Sequence, residues 1–103
     1  FGFSYLDANK DKIKAVPVQG VSPTYDTIAD GSYPGSRPLF IYIKKAHVGV
    51  VPGLKEYVAE FLKGAGTGGY LAEKGLIVSP KDVSDAANAA ATNMTPLDGS
   101  VLK

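Results

Sequence analysis

The chain has 103 residues, 45% of them hydrophobic and 20% charged, and its 11 Lys+Arg against 10 Asp+Glu leave a net charge of +1. At this length roughly 65% of the unfolded surface can be buried, enough for one modest core and no second domain. Near-neutrality removes the positive field that nucleic acid or acidic lipid would exploit, and the absence of cysteine excludes a disulfide scaffold and thiolate metal sites.

Phe1-Gly2-Phe3-Ser4-Tyr5 places aromatics at alternate positions, the period of a strand with one buried face. With no initiator Met before it, the sequence is expected to begin inside an element of something longer. Leu6 to Lys12 is polar, with room for one helical turn. Ile13 to Gln19 reads as a second strand, and Pro17 confines it to an edge or a bulge because it cannot donate to a ladder. Ser22-Pro23 is an N-cap followed by Pro at the first helical position, so a short helix is predicted from Pro23 to Asp30, stopped by Gly31. Ser32 to Pro38, with two Pro and one Gly, must be an irregular connector.

Leu39-Phe40-Ile41-Tyr42-Ile43 is apolar on both alternating faces, the pattern of a strand in the middle of a sheet covered on both sides. From Gly53 to Lys63, Leu54, Tyr57, Val58, Phe61 and Leu62 fall on one helical stripe, with Glu56, Glu60 and Lys63 opposite. A glycine-rich break at Gly64 to Gly69 precedes a short helix ending at Lys74. Ser79-Pro80-Lys81-Asp82 then suggests a capping box, with Asp in place of Glu, before an Ala-rich helix reaching about Asn93. Pro96 and Gly99 mark a loose tail. The fold class is therefore α/β, with three strands and about four helices, too few strands to close a sheet alone.

The motifs that carry chemistry elsewhere have plainer readings here. Gly64-Ala65-Gly66-Thr67-Gly68-Gly69 satisfies the letters of the dinucleotide fingerprint, but it follows a helix where that fingerprint needs a strand. His47 is the sole histidine and has no carboxylate at a ligand spacing, so no metal site is expected, and no nucleophile elbow exists for it to serve. Glu56 and Glu60 lie on a solvated helix face, which argues against paired-carboxylate catalysis. Lys10, Lys12 and Lys14 are interrupted by Asp11 and lack interleaved aromatics, so they read as a soluble surface. Asn93-Met94-Thr95 matches a glycosylation acceptor only by its letters. No catalytic residue and no cofactor are expected. Ser36 and Arg37 are the candidate ligand-binding residues. Arg37, the only arginine, sits in the rigid connector and has the fork geometry that grips an oxyanion or a carboxylate. A salt bridge that pins the connector is the competing role for it.

Three stretches carry a resemblance: Tyr33-Pro34-Gly35-Ser36-Arg37-Pro38-Leu39-Phe40-Ile41-Tyr42-Ile43-Lys44-Lys45, His47-Val48-Gly49-Val50-Val51-Pro52-Gly53-Leu54-Lys55-Glu56-Tyr57 and Gly69-Tyr70-Leu71-Ala72-Glu73-Lys74-Gly75-Leu76-Ile77. Together with the opening segment and Asn9 to Val16, they resemble the C-terminal part of bacterial phosphate-binding proteins. These are the extracytoplasmic substrate-capturing components of phosphate ABC transporters. The resemblance runs from Phe1 to about Leu97. It implies part of a two-lobed, type II periplasmic-binding-protein fold: the end of the second lobe at 1–31, a crossover connector at 32–38, and a return to the first lobe at 39–103. It also implies inorganic phosphate as ligand, ABC transporter membrane subunits as partners, a periplasmic or cell-surface location, and no catalysis. In that family phosphate is held dehydrated by backbone N–H groups at helix N-termini, hydroxyls, an arginine and a carboxylate that accepts only from a protonated oxyanion, and the resemblance places most of these groups upstream of this segment. The strand at Leu39 to Ile43 is then expected to need neighbours, from a missing N-terminal part or from a second copy of the chain. A free-standing interaction domain that binds no anion is the alternative.

Overall fold

The computed structural model describes residues 2–102. Five α-helices follow one another: α1 (Phe3–Ala8), α2 (Tyr25–Ala29), α3 (Leu54–Ala65), α4 (Tyr70–Glu73) and α5 (Lys81–Asn93), with single 3-10 turns at Lys45–His47 and Gly99–Leu102. The four expected helices are α2 to α5. The three expected strands are not formed among the described residues, where only the isolated bridges Val18–Val21 and Val48–Val51 occur.

Each missing strand has a local reason. Phe1 lies outside the described residues, and the rest of the opening segment is α1. Gly2 starts this helix by accepting the Tyr5 N–H at 3.0 Å, and Asn9 Nδ2 donates to the Tyr5 carbonyl at 2.9 Å near its end. A helix satisfies its backbone within the segment, whereas a strand needs a neighbour. Phe3 and Leu6, three residues apart, are its half-buried positions, so the same residues satisfy the helical period as well. Ile13 to Pro17 has no regular secondary structure, and Val18 and Val21 then exchange both hydrogen bonds, at 2.9 and 3.0 Å. Gln19 and Gly20 between them have φ of +52° and +81°, the signs of a type I′ turn, yet the hairpin holds just this one pair. Leu39 to Ile43 has no regular secondary structure and no backbone hydrogen bond among the described residues.

The packed part of the chain is α3, which rests on both α4 and α5. Val58 is buried on it, while Leu54, Phe61 and Leu62 are half-buried. Tyr57 is 66% exposed, which narrows the expected stripe to one side. Glu60 and Lys63 pair at 3.8 Å on the outer face, an exposed contact of little energetic weight. The expected capping box before α5 is also corrected. Pro80, which has no side-chain acceptor, holds the N-cap position, and Ser79 instead accepts through its carbonyl from Ser84 Oγ at 3.3 Å. Lys81 and Asp85 pair at 2.6 Å along the first turns of α5.

The molecule is elongated, with extents of 49 × 29 × 21 Å and a radius of gyration of 16.0 Å. A compact domain of this length would have about 13 Å. Its accessible surface is 7930 Å², against about 5,500 Å² for a folded monomer of this mass.

Candidate functional site

The expected site residues sit where α2 hands the chain to the connector. α2 is short, and side chains fix both of its ends. Thr24 and Thr27 form a reciprocal cap: Thr27 N–H donates to Thr24 Oγ1 at 3.2 Å, and Thr24 N–H donates to Thr27 Oγ1 at 2.9 Å. The Thr27 hydroxyl also donates to the Ser22 carbonyl at 2.7 Å. The N-cap is thus Thr24, two residues beyond the expected Ser22.

At the other end the connector folds back onto the last carbonyls of α2, which a helix otherwise leaves unpaired. Gly31 turns the chain with φ of +79°, and Tyr33 N–H donates to the Thr27 carbonyl at 2.8 Å. A turn at Tyr33-Pro34-Gly35-Ser36 closes through Ser36 N–H and the Tyr33 carbonyl at 2.9 Å. Ser36 Oγ then donates to the Ile28 carbonyl at 2.8 Å from a half-buried position. Hydrogen bonds from Ser32, by its hydroxyl and then its backbone N–H, hold the Asp30 carboxyl below the usual carboxylate range. Ser100 does the same for Asp98 through backbone and hydroxyl. Both acids are fully exposed, so these bonds shape turns rather than store stability.

This geometry separates the two candidate residues. The single hydroxyl proton of Ser36 is committed to Ile28, which leaves the oxygen only as an acceptor, the wrong polarity for a fully ionised oxyanion. Arg37 is exposed and makes no ion pair among the described residues, so the salt bridge expected to pin the connector is absent there; the Ser36 hydroxyl makes such a contact instead. Sequence reasoning could not tell which of two adjacent polar residues would be drawn into the helix terminus. Ser36→Ala would leave the half-buried Ile28 carbonyl with a weaker set of donors. It is expected to lower the unfolding free energy by about 1 kcal/mol, read as a shifted urea midpoint, and an unchanged midpoint would remove this role for the hydroxyl.

The remaining candidates stay apart. His47 is exposed in the 3-10 turn, and no group of three or more metal-ligating side chains occurs among the described residues. Glu56 and Glu60 are both exposed on α3. The two helices long enough to offer an anion their N-termini carry an acid in the first turn: Glu56 in α3, which opens at Gly53, and Asp82 in α5, which opens at Pro80. Neither N-cap contributes a side-chain hydrogen bond. A carboxylate beside the positive end of the helix dipole opposes the binding of an oxyanion there.

The family model described as PBP superfamily domain matches residues 1–64. The Phosphate-binding protein PstS of Staphylococcus haemolyticus is 34% identical over 86 residues, which covers 79% of this chain and 27% of that protein. The protein of the same name from Staphylococcus saprophyticus is 35% identical over 86 residues, covering 79% and 26%. That from Staphylococcus aureus strain MRSA252 is 37% identical over 81 residues, covering 70% and 25%. The chain spans about a quarter of the length of the curated relatives it matches. No solved structure matches it.

Proposed function

Because the chain belongs to the PBP superfamily, whose model covers its first 64 residues, we propose that it is a segment of an extracytoplasmic phosphate-binding protein. That protein captures inorganic phosphate and delivers it to the membrane subunits of an ABC importer, without catalysis. The observation that carries this reading is the 34% identity to a phosphate-binding protein over 86 residues. No described helix is long and apolar enough to cross a membrane. In this reading residues 1–31 end the second lobe, 32–38 form the crossover, and 39–103 return to the first lobe.

The acidic first turns of α3 and α5 support placing the main phosphate ligands outside this segment. Arg37 is the segment's own contribution, with a guanidinium free to meet an anion in the assembled protein. The test exchanges the matched 86 residues of the Staphylococcus haemolyticus protein for this chain and titrates inorganic phosphate and sulfate. The exchange protein is expected to bind phosphate and discriminate against sulfate, and Arg37→Gln is expected to weaken phosphate by about tenfold. A cooperatively folded exchange protein that gives no heat with phosphate would overturn the reading. A loss of stability in Arg37→Gln at unchanged affinity would mean that the guanidinium meets a protein carboxylate.

A further inference from the structure

Asp-Gly occurs twice in the chain, at Asp30-Gly31 and at Asp98-Gly99, and the fold constrains the two differently. The pair is chemically distinctive because glycine has no side chain to shield its backbone nitrogen from the aspartyl carboxyl beside it. For that nitrogen to reach the carboxyl carbon, the backbone must be free to rotate at the Asp–Gly junction. Both carboxyls accept from the serine two residues on, Asp30 from the Ser32 N–H at 2.8 Å and Asp98 from the Ser100 N–H at 3.0 Å. These bonds hold both carboxyls below the usual range, so ionisation does not separate the two sites and backbone freedom does. At Asp30 the backbone is fastened on either side. Its own N–H donates to the Asp26 carbonyl at 2.9 Å, and the Gly31 N–H donates to the Ile28 carbonyl at 3.3 Å, so the attacking nitrogen is itself engaged. Just beyond, the Ser32 hydroxyl and the Tyr33 N–H both reach the Thr27 carbonyl, at 3.3 and 2.8 Å.

Asp98 has no such fastening. The N–H groups of Asp98 and Gly99 donate no hydrogen bond among the described residues, and every residue from Pro96 to Gly99 is exposed. The last backbone bond before them joins the Thr95 N–H to the Ala90 carbonyl at 3.0 Å. We propose that Asp98 is a site of spontaneous isoaspartate formation in the folded chain, and that the hydrogen-bonded end of α2 protects Asp30 from the same reaction. The Gly99 nitrogen bonds to Cγ of Asp98, and its proton leaves with the carboxyl hydroxyl as water, which closes a five-membered succinimide. Water then opens the ring. Cleavage at the Cγ carbonyl restores aspartate, whereas cleavage at the backbone carbonyl leaves the chain linked through the side chain. The second product has the same mass as the first, with one more methylene in its backbone. Its carboxylate is displaced from the Ser100 N–H, so the 3-10 turn at Gly99–Leu102 loses the contact that opens it.

The test ages the 103-residue chain at physiological temperature and locates isoaspartate by electron-transfer fragmentation, which distinguishes the two backbones at equal mass. Peptides spanning 27–34 and 95–102, too short to hold a helix, supply the unrestrained rates. Asp98 is expected to convert within about twofold of its peptide, and Asp30 about tenfold more slowly than its own, since it must wait for the end of α2 to open. Slowing of Asp98 by as much as Asp30, or conversion of Asp30 at its peptide's rate, would overturn the proposal. In guanidinium chloride both sites should match their peptides. Asp30 remaining slow there would mean that the local sequence, and not the end of α2, protects it, and the assignment of protection to the fold would fall. Gly99→Val shields the attacking nitrogen with a branched side chain at a position where a Cβ meets nothing within 4 Å. It is expected to slow Asp98 by about tenfold and to leave Asp30 unchanged. Undiminished conversion of Asp98 in this variant would show that the ring does not close on residue 99.

Discussion

Gly69→Ala is expected to lower the unfolding free energy by about 3 kcal/mol or more, and Gly64→Ala by about 1–3 kcal/mol. Both glycines lie at the corner where α3 ends and α4 begins, and both are needed for close approach rather than for an unusual φ. A Cβ on Gly69 would meet the Gly64 carbonyl, whose carbon is 2.6 Å away, and the Lys63 carbonyl oxygen at 2.8 Å. These are backbone atoms of a formed helix, so nothing can swing aside. A Cβ on Gly64 would meet the ring of Tyr70, with Cε1 at 2.7 Å and the hydroxyl at 2.8 Å. That ring lies across the buried Gly64, and its hydroxyl donates to the Glu60 carbonyl at 3.4 Å, so it fastens α4 to the last turn of α3. A side chain can move where a backbone cannot. Gly64→Ala combined with Tyr70→Ala should therefore cost less than the two changes added together, whereas no side-chain truncation should rescue Gly69→Ala. Urea unfolding of the exchange protein, where the longer relative supplies a cooperative transition, reads both. Equal midpoints for Gly69→Ala and the parent would refute the close contact.

The same corner shows what the sequence could and could not disclose. Gly64 to Gly69 is legible as a helix-to-helix break, because the stripe of α3 runs out at Lys63 and glycine is a poor helix former. The contacts that constrain Gly64 and Gly69 are not legible, since they depend on where the turn carries the Tyr70 ring over Gly64 and on how closely it brings Gly69 to the last carbonyls of α3. The helices α2 to α5 follow from local signals, namely spacing, caps and glycine stops. Local competition explains the smaller misses: Thr24 rather than Ser22 caps α2 because it can bond reciprocally with Thr27, and Pro80 displaces Ser79 as the N-cap of α5. The strand pattern at Leu39 to Ile43 is a statement about neighbours, and among the described residues there are none to meet it. At the connector, the irregular path is readable from Pro34, Gly35 and Pro38, while the capture of Ser36 by Ile28 depends on how the chain folds back over α2.

The largest departure from an ordinary domain is expected in the unfolding of the 103-residue chain by itself. Val58, 4% exposed, is the one buried hydrophobic side chain among the described residues. Leu39, Val50 and Val16 are 84%, 74% and 70% exposed. An accessible surface of 7930 Å² leaves about a quarter less area to be exposed on unfolding than a compact chain of this mass would have. The urea m-value scales with that area, so it should fall about a quarter below the value for a typical 103-residue domain, with a matching fall in the heat capacity of unfolding. Hydrophobic burial is the main term opposing chain entropy, and removing a quarter of it from a balance of only about 5–15 kcal/mol leaves only a small net stability. The chain alone should accordingly bind a hydrophobic dye and melt over a broad range, and insertion into the longer relative should restore a sharp transition. A sharp melt of the isolated monomer, with a full m-value and no dye binding, would mean that the apolar residues on its surface find cover within the chain itself.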